Sequence, residues 1–166
     1  MINQDFDSEK KRFININFNA ETFERYVSSD YIEEIEFIDS RIHNLDPLPS
    51  FFWCNFSNSL LYDCYVRKGD LRSVTFKTCN ITRIYWDKSD LIDVDFIDCT
   101  LVDVNLNGAY IENIRFKNST VEFTENFGLP IFSPLMINVQ IWNDEKEQYI
   151  EVKDYDELLR LLNPKQ

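Results

Sequence analysis

Between Phe51 and Val121 every fifth residue is large and apolar: Phe51, Phe56, Leu61, Val66, Leu71, Phe76, Ile81, Trp86, Leu91, Phe96, Leu101, Leu106, Ile111, Phe116 and Val121. Neither the 3.6-residue period of a helix nor the two-residue alternation of a strand gives this spacing. From Cys54 onward, the residue two places before each of these is small or β-branched, as in Cys54, Ser59, Cys64, Gly69, Val74, Cys79 and Ile84. Two positions separated by two lie on one face of an extended segment. Each unit of five is therefore a short strand with two inward side chains, followed by a corner. A chain that turns inward at every corner winds into a coil, and its turns must stack to cover their edges. A period of 20 supports four units per turn: Phe56, Phe76, Phe96 and Phe116 coincide, as do Leu61, Ile81, Leu101 and Val121. The pattern predicts an all-β solenoid.

The units "SDLID", "CNITR", "GDLRS", "VDFID" and "VNLNG" resemble those of the pentapeptide-repeat family: a small residue, often Asp or Asn, then Leu or Phe, then two variable residues. The resemblance covers about residues 49–123 and implies a right-handed quadrilateral β-helix. It departs at Trp86, a bulky centre residue, and at Leu60, Tyr65, Tyr85 and Tyr110, where Asp or Asn is usual.

Outside this body the count slips. Phe13, Phe18 and Phe23 share one phase, while Val27, Ile32, Phe37 and Ile42 share another. Residues 1–48 are expected to form degenerate coils or an N-terminal cap, with "NLDPLPSFF" as an irregular loop. Residues 124–166 are expected to form a C-terminal cap of two strands and a helix. "FGLPIFSPL" suggests a loop, "MINVQIW" and "YIEV" strands, and "DYDELLRLLNP" a helix opened by the capping-box residues Asp154 and Glu157. Such a ββα unit would cover the strand edges at the coil end. The resemblance also allows the C-terminal helix to make a homodimer, so monomer and dimer both stay open.

Chemistry enters mainly by what is missing. Cys54, Cys64, Cys79 and Cys99 form no metal-ligand spacing with His43, the chain's one histidine, and suit reduced, buried roles. Three glycines, Gly69, Gly108 and Gly128, build no phosphate loop. No nucleophile–base pair stands out. The expectation is a non-enzymatic chain without cofactor or metal. The charged N-terminus lacks the apolar core of a signal peptide, and no 18-residue apolar run exists, so a cytoplasmic protein without a membrane span is expected.

A net charge of −12 disfavours direct nucleic-acid binding. Residues 1–48 hold 11 acids and 5 bases, residues 49–121 hold 9 and 8, and residues 122–166 hold 9 and 4. The repeat body is thus nearly neutral but banded. Arg67, Lys68, Arg72, Lys77 and Arg83 crowd one turn; Asp87, Asp90, Asp93, Asp95, Asp98 and Asp103 crowd the next. Family members of this kind include proteins that shield DNA gyrase by resembling a duplex, and proteins that protect a producer from its own toxin. A duplex mimic should be acidic along its whole length; banding fits a surface for one specific protein. The reading is a protein-binding module, an immunity protein that occludes a bacterial toxin. The alternatives are a DNA-mimicking protector of gyrase or topoisomerase, and an effector or structural module. Candidate partner-binding residues are Tyr62, Tyr65, Arg67, Tyr85, Asp90, Asp93, Asp95, Asp98 and Asp103. The plainer alternative is that the tyrosines stack on one another and the charge bands pair between turns.

Overall fold

The computed structural model describes residues 5–7, 11–23, 31–66, 68–123 and 135–162. It is a β-solenoid of about five turns. Parallel strands stack in register every 20 residues through the regular body, so Leu71 faces Phe51 and Leu91, and Phe76 faces Phe56 and Phe96. Each turn has four sides. The first is centred on Ile32, Phe51, Leu71, Leu91, Ile111 and Met136. The second is centred on Phe13, Phe37, Phe56, Phe76, Phe96, Phe116 and Ile141. The third carries Phe18, Ile42, Leu61, Ile81, Leu101 and Val121. Val66, Trp86 and Leu106 centre the fourth.

All these centres from Phe51 to Val121 are buried. The second-side phenylalanines form one pile of rings. Centroid spacings are 5.5 Å from Phe13 to Phe37, 4.7 Å to Phe56, 4.8 Å to Phe76, 5.2 Å to Phe96 and 5.1 Å to Phe116. Parallel strands lie about 4.8 Å apart, so identical residues at identical positions must meet face to face. Trp86 also points inward, tilted against Phe96, and its Nε1 is buried with no hydrogen-bond partner among the described residues.

The residues two places before each centre are small because of what they touch. Ser59 Oγ donates to the Ser57 carbonyl at 2.9 Å, Ser119 Oγ to that of Lys117 at 3.0 Å, and Cys99 Sγ to that of Ile97 at 3.2 Å. Each plugs the inside of a corner and satisfies a carbonyl there. At Gly69 even a Cβ would come within 2.5 Å of Val66 Cγ1. All four cysteines are free and buried. Burial pushes the thiols of Cys54 and Cys64 up to about 11, which makes them packing groups and not nucleophiles.

The corners are built almost without glycine. Asp63, Ser73, Thr78, Arg83, Lys88, Asp93, Asp98 and Asp103 all take φ between 49° and 59°. The left-handed conformation costs an L-residue about 1–2 kcal/mol. Hydrogen bonds to the next turn offset this: Thr78 N–H donates to the Ile97 carbonyl at 2.9 Å, and Asp98 N–H to that of Lys117 at 2.9 Å. Thr78 is the β-branched exception among these corners, and β-branched residues tolerate positive φ worst. Replacing exposed Thr78 with Asn should therefore stabilise the fold by about 1 kcal/mol, read as a raised urea midpoint with unchanged slope.

The first turns are irregular in length but not in register. Phe37 and Phe56 are partners although 19 residues apart, and Phe13 and Phe37 although 24 apart. The missing residue is absorbed between Ile42 and Phe51, where Leu45 and Leu48 are buried. The extra residues fall after Phe18, where the helix Ala20–Phe23 replaces a strand and Phe23 packs edge-on against Phe18 at 5.6 Å. So Ile32, Phe37 and Ile42 belong to true turns, while the expectation for Val27 lies outside the described residues. At this end Asp5–Asp7 pairs antiparallel with Arg12–Ile14 and covers the edge.

At the other end, the expected loop after Val121 also lies outside the described residues up to 134. The segment expected as one strand is two. Leu135–Ile137 adds to the first side and Val139–Asn143 to the second, both parallel, with a corner at Asn138 where φ is 51°. Gln148–Val152 then returns antiparallel. The helix Tyr155–Leu162 follows, with Glu157 N–H donating to Asp154 Oδ1 and Lys153 N–H to Glu157 Oε2, both at 2.8 Å. Leu158 is fully buried against the end of the core, beside Leu106, Phe116 and Val121.

Candidate functional site

In a four-sided coil, residues five apart point in different directions, and residues 20 apart share a side. This decides where the candidate residues go. Asp90 stands on the first side, Asp93 at the corner after it, Asp95 on the second side, Asp98 at the next corner, and Asp103 at the corner after the third. The acids of this turn encircle the rod; they do not converge. Tyr62 lies on the third side and Tyr65 and Tyr85 beyond the following corner. Arg67 lies outside the described residues.

Much of the banding resolves into pairs between adjacent turns. Arg83 bridges to Asp63, its Nη2 2.9 Å from Oδ2. Arg115 Nε donates to Asp95 Oδ1 at 2.6 Å. Arg72 lies 3.3 Å from Asp70 and 3.7 Å from Asp90. Asparagines continue the ladders: Asn113 donates to Asp93 at 2.8 Å, Asn118 to Asp98 at 3.0 Å, and Asn107 to Asp87 at 3.2 Å. The Arg83 guanidinium, hydrogen-bonded to Asp63, holds that carboxyl below its ordinary value. A depressed carboxylate stabilises the fold above the ordinary carboxylate range and loses that contribution as pH falls through it. The exposure of the pair keeps the contribution small and salt-sensitive.

The tyrosines stack. Tyr65 and Tyr85 lie 4.6 Å apart and 5° from parallel; His43 and Tyr62 lie 4.8 Å apart and 2° from parallel. His43 lies in the strand Arg41–His43. Its Nε2–H donates to Asn17 Oδ1 at 2.9 Å and its Nδ1 accepts from Asn44 Nδ2 at 3.1 Å. That arrangement needs the neutral ring, in keeping with a pKa lowered by burial. Truncating Tyr85 to Ala should cost about 1 kcal/mol, the loss of one stacked aromatic pair, measurable by urea unfolding.

The candidate set omitted a group that the structure exposes. Phe52 and Trp53 fill the two outward positions between inward Phe51 and Cys54, and Tyr31 meets Phe52 edge-on at 6.0 Å. The signal was present in "SFFWCNF", where only two of the four residues from Phe51 to Cys54 can point inward. A polar cavity of about 280 Å³ lies along the ladder of Asp93, Asn113, Asn138, Arg115 and Gln140. Among the described residues no group of three His, Cys, Asp or Glu side chains is placed to hold a metal. No helix there is long and apolar enough to cross a membrane.

Comparison with known proteins gives a match of residues 79–118 to the family of pentapeptide repeats, in eight copies. No curated protein matches in sequence. Among solved structures, full-length QnrB1, a plasmid-mediated fluoroquinolone resistance protein, aligns at 12% identity over 66% of this chain and 57% of its own, with a TM-score of 0.39. A trypsin-treated form of QnrB1 aligns at 9% identity over 80% of this chain and 83% of its own, with a TM-score of 0.24. The present chain thus spans little more than half of full-length QnrB1. Residues 79–118 thus match eight pentapeptide repeats, and they lie in a coil whose regular sides are five residues long.

Proposed function

We propose that this protein is a non-enzymatic binding module that neutralises another protein by covering it, and that the partner is a bacterial toxin domain. The observation that carries this reading is the regular register of the outward rows from turn to turn. Interior packing, corner hydrogen bonds and ladders such as Arg83–Asp63 and Asn113–Asp93 hold surface side chains at fixed positions one strand spacing apart. A surface ordered before binding loses little entropy on binding, so its contacts convert well into affinity. The net charge of −12 suits a partner with a basic cleft.

The same charge favours a second reading, a duplex-like protector of gyrase or topoisomerase. Against it, Arg72, Arg83 and Arg115 interrupt the acidic rows. Co-expression with the product of the adjacent gene separates the two. A stable complex on size exclusion, with relief of toxicity, is the expected result. No complex and no relief, together with protection of gyrase supercoiling from a quinolone, would replace the first reading by the second.

A further inference from the structure

Four large hydrophobic side chains are exposed among the described residues: Tyr31 at 48%, Trp53 at 58%, Leu135 at 61% and Ile137 at 44%. They come from three separate stretches of chain; three stand on the first side and Trp53 at the corner that closes it. Tyr31 and Leu135 occupy the row just before the first-side centres, and Ile137 the row just after. Trp53 sits at the corner that closes this side, with φ of 53°. Half-buried Phe52 and Ile92 fall in the same row as Ile137. Tyr31 and the Leu135–Ile137 pair lie on the two end strands of this side, each paired on one edge only among the described residues, whereas the second side is closed at both ends by antiparallel strands. Exposed apolar groups at both ends of one side, with polar residues between them, give a partner two separate anchor points.

Charge on the same side is mostly acidic. Glu33, Asp70, Asp90 and Glu112 lie in these two rows, and Arg72 is the base there among the described residues. Arg72 is already engaged by Asp70 and Asp90. The side thus presents an aromatic cluster at one end, an aliphatic pair at the other, and surplus carboxylate between. From Tyr31 to Leu135 it runs five strand spacings, about 24 Å.

We infer that the first side is the docking face, and that its occupant is a partner protein whose surface offers Arg and Lys beside apolar groups. This rests on the binding reading above and names the face and chemistry it uses. Arg and Lys satisfy both features at once: their stems pack on Trp53 and Tyr31, their cations lie over the rings, and their heads meet the carboxylates. A second copy of the chain fits badly, because a two-fold contact would set the acidic surplus against itself.

The test is photocrosslinking of the full chain in its native host. Benzoylphenylalanine replaces Trp53 or Ile137 on the first side, or Thr100 on the third as a control. The expected result is at least tenfold more protein adduct from positions 53 and 137, with Arg- or Lys-containing contact peptides. With the probe at 137, Trp53→Asn and Glu33→Lys should each cut the adduct at least tenfold without moving the thermal midpoint; Asn suits the left-handed corner. Adducts concentrated at position 100, contact peptides without Arg or Lys, or peptides from the chain itself would overturn the inference and leave protein binding standing. No adduct from any position would overturn both.

Discussion

Phe76→Ala should unfold at a much lower urea concentration than the parent, with a loss of about 3–5 kcal/mol, the range for truncating a buried phenylalanine. Phe76 is 1% exposed and has rings stacked on both faces, Phe56 at 4.8 Å and Phe96 at 5.2 Å. Removing it takes two ring contacts as well as the buried area. The hole cannot close by collapse, because its floor and roof are neighbouring turns fixed by strand pairing. Phe76→Leu, which refills most of the volume, should recover at least half of the loss. A Phe76→Ala variant within 1 kcal/mol of the parent would mean that the pile of rings does not hold the coil together.

Leu158→Asp should act at the end of the coil with comparable force. Leu158 is fully buried where the last turn would otherwise open to water, and the helix bearing it has a complete capping arrangement. A carboxylate at that place meets Leu106, Phe116 and Val121, with no cation among the described residues that line it. An uncompensated buried charge costs about 3–5 kcal/mol, and undocking the helix avoids that cost only by exposing the core end. The expected readout is faster hydrogen exchange in the helix and the last turn, together with concentration-dependent association. Exposed Arg160→Ala, two residues along the same helix, should leave both unchanged.

The inward half of this protein is legible because its period is strict. Counting by five finds the centres, and counting by 20 finds which centres touch, so Phe56, Phe76, Phe96 and Phe116 are a pile already in one dimension. The C-terminal helix is legible through Asp154 and Glu157. The place of Phe13 and Phe37 in that pile is not, since their spacings of 24 and 19 depend on irregular residues at corners. Nor does the renewal of parallel pairing at Leu135 show, because the count breaks before it. The outward half is harder. Asp90, Asp93, Asp95, Asp98 and Asp103 look like a cluster along the chain, but each corner turns the next one away. Conversely, Tyr31, Trp53 and Ile137 look unrelated until the chain is wound. Trp53 is masked by its neighbours, because in so apolar a stretch only Phe51 and Cys54 follow the inward period.

The identity of successive storeys has a practical consequence for length. Residues 76–95 make one complete circuit and begin and end at equivalent points. Duplicating that block should insert an extra storey of about 4.8 Å while the helical lid and the N-terminal hairpin keep their own seats. The protein is in this sense a ruler whose graduations can be added singly, and a partner that grips both ends would feel each addition as a mismatch of known size.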